Sequence, residues 1–180
     1  MIVLDFQSLY PSITIAYNLC YSTCLGKLKQ KFQVKDENSV KKFGCTNLEL
    51  PLGIIELIGK KNITISPTGV MFVKKNIKLG VLPIILDELL NARKMIKHSM
   101  KRYQNEDQKH ISHSMNLQQE TLKLILNVIN GYVAASHSGR MPNSDVTDSV
   151  WGFARRTLGK YRFLKNFFFC FFNFFFFFFT

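Results

Sequence analysis

From Leu82 to about Asn105, the apolar residues Leu82, Ile85, Leu86, Leu89, Leu90, Ile96, Met100 and Tyr103 return mainly at steps of three and four. A helix puts such a series on one face, so the stretch predicts a long amphipathic helix. Arg93, Lys97 and Lys101 fall on one stripe of it. The polar segment Glu106 to Ser114 breaks the pattern. A second helix is predicted from about Met115 to Asn130, with Leu117, Leu124, Ile125 and Val128 toward a core. Lys123, Asn127 and Asn130 share its other side, because residues four and seven apart lie above one another. A polar tip between two such helices predicts an antiparallel pair with a basic stripe on each.

The rest of the chain must be arranged around that pair. Met1 to Leu4 is an apolar run ending at Asp5, which reads as the end of a buried strand carrying a carboxylate. Tyr10-Pro11-Ser12 breaks the run, and Ile13 to Leu19 predicts a short helix capped by Ser12. Between about Gly26 and Lys78 the chain reads as loops and hairpin strands, with lysine-rich turns at Lys27 to Lys35 and Lys60-Lys61 and β-like pieces at Ile63–Ile65 and Val70–Val73. Past Pro142 a third helix is predicted from near Ser144 toward Lys165, with Asp145 and Asp148 favoured in its first turn by the helix dipole. No internal repeat is present.

A length of 180 residues allows one ordinary core or a piece of a larger one. The 24 Lys and Arg against 12 Asp and Glu give a charge of +12, which points to a polyanionic partner, nucleic acid or an anionic membrane surface. The hydrophobic fraction of 47% excludes a wholly disordered chain, but it is inflated locally. Eleven of the 17 Phe lie between Phe167 and Phe179, where only Cys170 and Asn173 interrupt them. That run has no helical or strand period and is shorter than the roughly 20 residues of a membrane span. It reads as a translated homopolymeric tract, intron or frameshifted sequence, outside the fold. Phe codons in frame in the mature transcript would overturn that expectation. Four cysteines without a CxxC pair, scattered histidines and no leader-like N-terminus predict a reducing, intracellular setting.

Two segments carry chemistry. One is Asp5-Phe6-Gln7-Ser8-Leu9-Tyr10-Pro11-Ser12; the other runs from Lys123 through Asn127 to Gly131-Tyr132 and on to Ser138-Gly139-Arg140-Met141-Pro142. Taken alone, Asp5 is a turn-capping carboxylate and Lys123 a solvated helix charge. In this order and at this separation, they resemble the DxxSLYPS and KxxxN(S)xYG motifs of family B DNA polymerases, and the resemblance covers residues 1 to about 165. The wording DFQSLYPSITIAYNLCYSTCLG, KFGCTNL, GVLP and NxxxGYxxASxSGRMP is similar to the zeta-type branch. A delta-type chain would read DFNSLYPS, with KLP in place of Arg140-Met141-Pro142.

The resemblance implies an α+β fold, part of a right-hand polymerase. Residues 1–80 would be partial palm, 81–131 the fingers helices, 132–166 a return to the palm and 167–180 the Phe-rich tail. It implies template-directed nucleotidyl transfer in the nucleus, with primer-template DNA, deoxynucleoside triphosphate and accessory subunits as partners and no membrane. Asp5 would be the catalytic carboxylate and, with the Phe6 carbonyl, a ligand of Mg²⁺, which takes hard oxygens. Ser8, Leu9 and Tyr10 would face the triphosphate, with Tyr10 as a steric gate against a ribose 2′-hydroxyl. Arg93, Lys97, Lys123 and Asn127 would complete the nucleotide site, and Asn130, Gly131, Gly139 and Arg140 would meet DNA.

Departures qualify these expectations. Asn130 stands where the family carries an aromatic residue, and the family's arginine near Gln118 is absent. The YxDTD motif with the second catalytic aspartate should follow the third helix, and Thr147-Asp148-Ser149 lies too close to Pro142 to be it. The chain by itself is therefore expected to bind Mg²⁺ weakly and to be inactive, with thumb, exonuclease-like and C-terminal regions missing; an iron–sulfur cluster is implied only for the last of these. A non-catalytic basic nucleic-acid-binding module and a degenerate gene copy are the alternatives.

Overall fold

The first helix, α1 (Leu9–Tyr17), starts ahead of Pro11 rather than after it. Proline is tolerated in a first turn because the N–H it lacks would have no partner there. The expectation of a helix from Ile13 to Leu19 capped by Ser12 is thus corrected: Ser8 holds the N-terminal position, in the left-handed region at φ 54°, and Ser12 donates its backbone N–H to the Ser8 carbonyl. The computed structural model describes residues 6–28, 51, 53–103, 109–135 and 140–177, with side chains of the last stretch as far as Lys160. Met1 to Asp5, the lysine-rich stretch from 29 to 35 and Gly139 lie outside the described residues.

After α1 come β1 (Cys24–Lys27), α2 (Ile54–Ile58), β2 (Ile63–Ile65), β3 (Val70–Val73), α3 (Val81–Met100), α4 (Lys109–Ala134) and α5 (Ser144–Phe177). The strands form an antiparallel sheet in the order β1-β3-β2. Central β3 is buried along its whole length, as an uninterrupted apolar strand should be. A bulge separates Cys24 from Gly26 where β1 meets β3, and Gly26 adopts φ 94°, a conformation available to glycine. At the β2–β3 turn, buried Ser66 accepts the Val70 N–H on its hydroxyl, and the hydroxyls of Ser66, Thr68 and Ser149 join the turn to α5.

The core gathers Ile13, Leu19, Val70, Phe72, Val133, Val146, Val150 and Phe153, so α1, the sheet, α4 and α5 share one apolar interior. Tyr17 stacks on Phe153 with ring centres 3.8 Å apart. Asn143 caps α5 by accepting the Val146 N–H on its side-chain oxygen. In the first turn, buried Asp145 pairs with Lys27 of β1 at 2.9 Å.

Helices α3 and α4 pack against each other in opposite directions: Ile96 lies beside Leu117 and Thr121, Arg93 meets Gln119, and Leu86 lies beside Leu126. The apolar face expected on α4 is wrong. Leu117, Leu124, Ile125 and Val128 are exposed, whereas Gln119, Leu126 and Val133 are buried, with Leu122 and Ile129 half-buried between them. The exposed set has helical spacing of its own, which is why periodicity selected it. The helix also begins at Lys109 rather than Met115, before the apolar pattern starts.

The base of α3 is pinned by Asn18, itself in the left-handed region at φ 57°. Its amide donates to the carbonyls of Val73 and Lys78, both at 2.8 Å, and its side-chain oxygen accepts the Gly80 N–H at 2.9 Å. Gly80 is packed so closely that a Cβ there would come within 2.7 Å of the Cys20 Cβ. Burial of Cys20 works against its ionisation, but hydrogen bonds from the Leu82 N–H and from Ser22 outweigh it and bring the thiol below its ordinary pKa.

Candidate functional site

Where the N-terminus of α1 faces the middle of α3, a cleft of about 100 Å³ opens between Gln7, Ser8 and Ser12 on one side and Leu90, Arg93, Lys94 and Lys97 on the other. Three cations and two hydroxyls converge here, and none of the lining residues is acidic. The first N–H groups of α1, at Leu9 and Tyr10, have no acceptor within the helix and add the positive end of its dipole. An anion with several oxygens suits this wall: hydroxyls and N–H groups donate, and the cations offset charge.

Three of the residues singled out from the sequence, Ser8, Arg93 and Lys97, therefore meet in one place. They are not equivalent. Arg93 is only 9% exposed and donates its Nε–H to the Gln119 side-chain oxygen at 3.3 Å, so it is held between the two helices. Lys97 and Lys101, further along the same helix, are exposed.

Leu9 and Tyr10 stand at the start of α1, and Tyr10 is 43% exposed. Lys123 and Asn127 are exposed on α4 and do not line the cleft. Asn130 is half-buried beside a gap of about 20 Å³, among Pro11, Thr14, Leu82, Leu86 and Val150. Gly131 is exposed on α4. Exposed Arg140 donates its backbone N–H to the Tyr132 hydroxyl, and the neighbouring Met141 carbonyl accepts the Tyr21 hydroxyl at 2.6 Å. Burial, together with Coulombic interaction with Cys20 and Tyr132, raises the Tyr21 pKa and so favours the neutral, donating phenol.

Asp5 and Gly139, also expected at the site, lie outside the described residues. Among the described residues, no three His, Cys, Asp or Glu side chains gather as a metal site. Gln7, Ser12, Lys94 and Gln119 were not among the site residues expected from the sequence. Gln7 and Lys94 border chosen residues, whereas Gln119 could have been found by stepping the inner face of α4 back from Leu126 through Leu122.

The model of DNA polymerase family B matches residues 1–166. The chain is 48% identical over 158 residues to the DNA polymerase zeta catalytic subunit of Mus musculus, covering 88% of this chain and 5% of that one. It is 42% identical over 160 residues to the DNA polymerase zeta catalytic subunit of Saccharomyces cerevisiae, covering 89% of this chain and 10% of the relative. The solved structure of the family B DNA polymerase from the hyperthermophilic archaeon Pyrobaculum calidifontis superposes with a TM-score of 0.59 at 21% identity, over 90% of this chain and 17% of that one.

Proposed function

The chain belongs to DNA polymerase family B, and from that premise we propose that it is the palm-and-fingers segment of a zeta-like DNA polymerase, whose cleft between α1 and α3 receives the triphosphate of an incoming deoxynucleotide. The observation that carries this reading is the convergence of Ser8, Arg93, Lys94 and Lys97 on one cleft with no acidic side chain among its described lining residues. The chain spans a tenth or less of the length of these zeta relatives, so the activity proposed is that of a longer polymerase containing this segment.

Just ahead of α1 in sequence, the Asp5 carboxylate and the Phe6 carbonyl offer hard oxygens, the ligand type that Mg²⁺ takes. When bound, Mg²⁺ stabilises the attacking and leaving oxygens of an in-line phosphoryl transfer. The protein's own groups do the rest. The N–H groups of Leu9 and Tyr10 and the hydroxyl of Ser8 bind phosphate oxygens, while Arg93 and Lys97 offset the charge that grows on the leaving pyrophosphate. The exposed ring of Tyr10 meets the sugar and excludes a 2′-hydroxyl by volume. Lys123 and Asn127 reach the nucleotide when α3 and α4 swing inward, a closure of the kind that completes many active sites.

Asn130, Gly131, Gly139 and Arg140 contact the duplex, with Arg140 set on its backbone by the Tyr132 hydroxyl. The naming of the relatives as catalytic subunits supports accessory subunits as partners, while synthesis on damaged templates and a nuclear setting belong to the proposal through the zeta-type resemblance alone.

Steady-state incorporation of one nucleotide tests the reading. In the full-length polymerase carrying this segment, Lys97→Ala should raise the KM for the nucleotide about 10-fold or more, the scale of one charge-assisted contact. Affinity for primer-template DNA should change by less than about threefold. An unchanged KM would remove Lys97 from the site.

A further inference from the structure

We infer that Gln119 is a positioning residue for Arg93, anchored by a hydrogen-bond relay that starts at Glu120 and orients the guanidinium toward the incoming nucleotide; this rests on the nucleotide reading of the cleft. Arg93 lies on α3 and Gln119 on α4, and both are 9% exposed. Arg93 Nε–H donates to Gln119 Oε1 at 3.3 Å. Gln119 Nε2 donates to Asn116 Oδ1 at 3.0 Å, and Asn116 Nδ2 donates to Glu120 Oε1 at 3.1 Å.

The direction of this chain is set from both ends. An arginine side chain can only donate, so Gln119 must turn its oxygen toward Arg93 and its NH₂ toward Asn116. An ionised glutamate can only accept, so Asn116 must turn its NH₂ toward Glu120 and its oxygen toward Gln119. The two requirements agree, and each amide has one orientation that satisfies both neighbours. Using Nε for the relay leaves the terminal NH₂ groups of Arg93 for the cleft that its side chain lines. Those groups form the fork that fits phosphate oxygens.

The relay also crosses between the two helices. A guanidinium held from the far helix keeps its angle when α3 and α4 move as a pair, so the cation arrives oriented and not searching among rotamers. Such preorganisation lowers the cost of binding without adding a contact to the ligand. Gln119 is thus distinct from the residues that touch the nucleotide, and acts only through Arg93.

A double-mutant cycle in the full-length polymerase carrying this segment separates these roles, with KM and kcat for single-nucleotide incorporation as readouts and the melting temperature as a check on folding. Gln119→Leu fills a similar space without an acceptor and should raise the KM about 5- to 10-fold with kcat changed less. Gln119→Glu keeps an acceptor for Arg93 but loses the NH₂ that Asn116 holds, so it should recover only part of the loss, with a KM between those of the parent and Gln119→Leu. In an Arg93→Ala background, Gln119→Leu should add nothing, because the group it positions is gone. Additive effects, or a Gln119→Leu variant as good as the parent while Arg93→Ala is impaired, would overturn the relay and leave the nucleotide reading standing. An Arg93→Ala variant with unchanged KM would overturn both.

Discussion

Asp5→Asn in the full-length polymerase should lower the rate of nucleotide incorporation by at least about 1000-fold, the scale on which a preorganised charge at a reacting centre acts. Asparagine keeps the shape and one oxygen, but it loses the charge that holds a divalent cation against its hydration shell. Affinity for primer-template DNA should remain within about threefold, because that term comes from contacts to phosphates by basic groups elsewhere. Primer extension and DNA binding measured on the same preparation check the pair of expectations. Loss of both together would mean that Asp5 supports the fold instead, and loss of neither would return it to a turn-capping carboxylate.

Asn18→Ala should destabilise the chain by about 3–5 kcal/mol, a large share of the roughly 5–15 kcal/mol that holds a domain together. The side chain is 1% exposed and serves two carbonyls and one N–H, and the hydrogen bonds to the Val73 carbonyl and the Gly80 N–H are buried. Alanine also costs about 1 kcal/mol or more at φ 57°, where asparagine is better tolerated. Asn18→Gly separates the contributions, since it removes the same hydrogen bonds without the backbone strain. Urea unfolding of the three chains measures both differences. A loss below about 1 kcal/mol for Asn18→Ala would show that the base of α3 is held by packing around Gly80, with little from the amide.

The elements most legible in the sequence were those whose side chains repeat what the backbone requires. Ile63–Ile65 and Val70–Val73 are strands at the predicted residues, and α3 and α5 start close to Leu82 and Ser144. Strand β1 was missed because Cys-Leu-Gly-Lys has neither alternation nor β-branched residues; the buried partner β3 makes it a strand. The inner face of α4 was missed because it begins at Gln119, a polar residue that pattern reading assigns to solvent, while apolar Leu117 and Leu124 face outward.

The candidate site divides the same way. Ser8, Arg93 and Lys97 were found from motifs, and their meeting in one cleft follows from α1 lying across α3. What no motif held was the partnership between side chains on two helices. Arg93 reads as one more lysine-like charge until Gln119 is seen beside it.

The Tyr21–Met141 hydrogen bond joins residues 120 apart in sequence, and the Thr68–Ser149 contact joins residues 81 apart. On the ribosome, α1 and β1 emerge before their neighbours in α5 have been made. At synthesis rates of roughly 5–20 residues per second, Tyr21 waits on the order of ten seconds for its acceptor. During that interval the sheet has no α5 to cover it, so the newly made segment depends on whatever shields apolar strands until residue 150 or so is free of the exit tunnel.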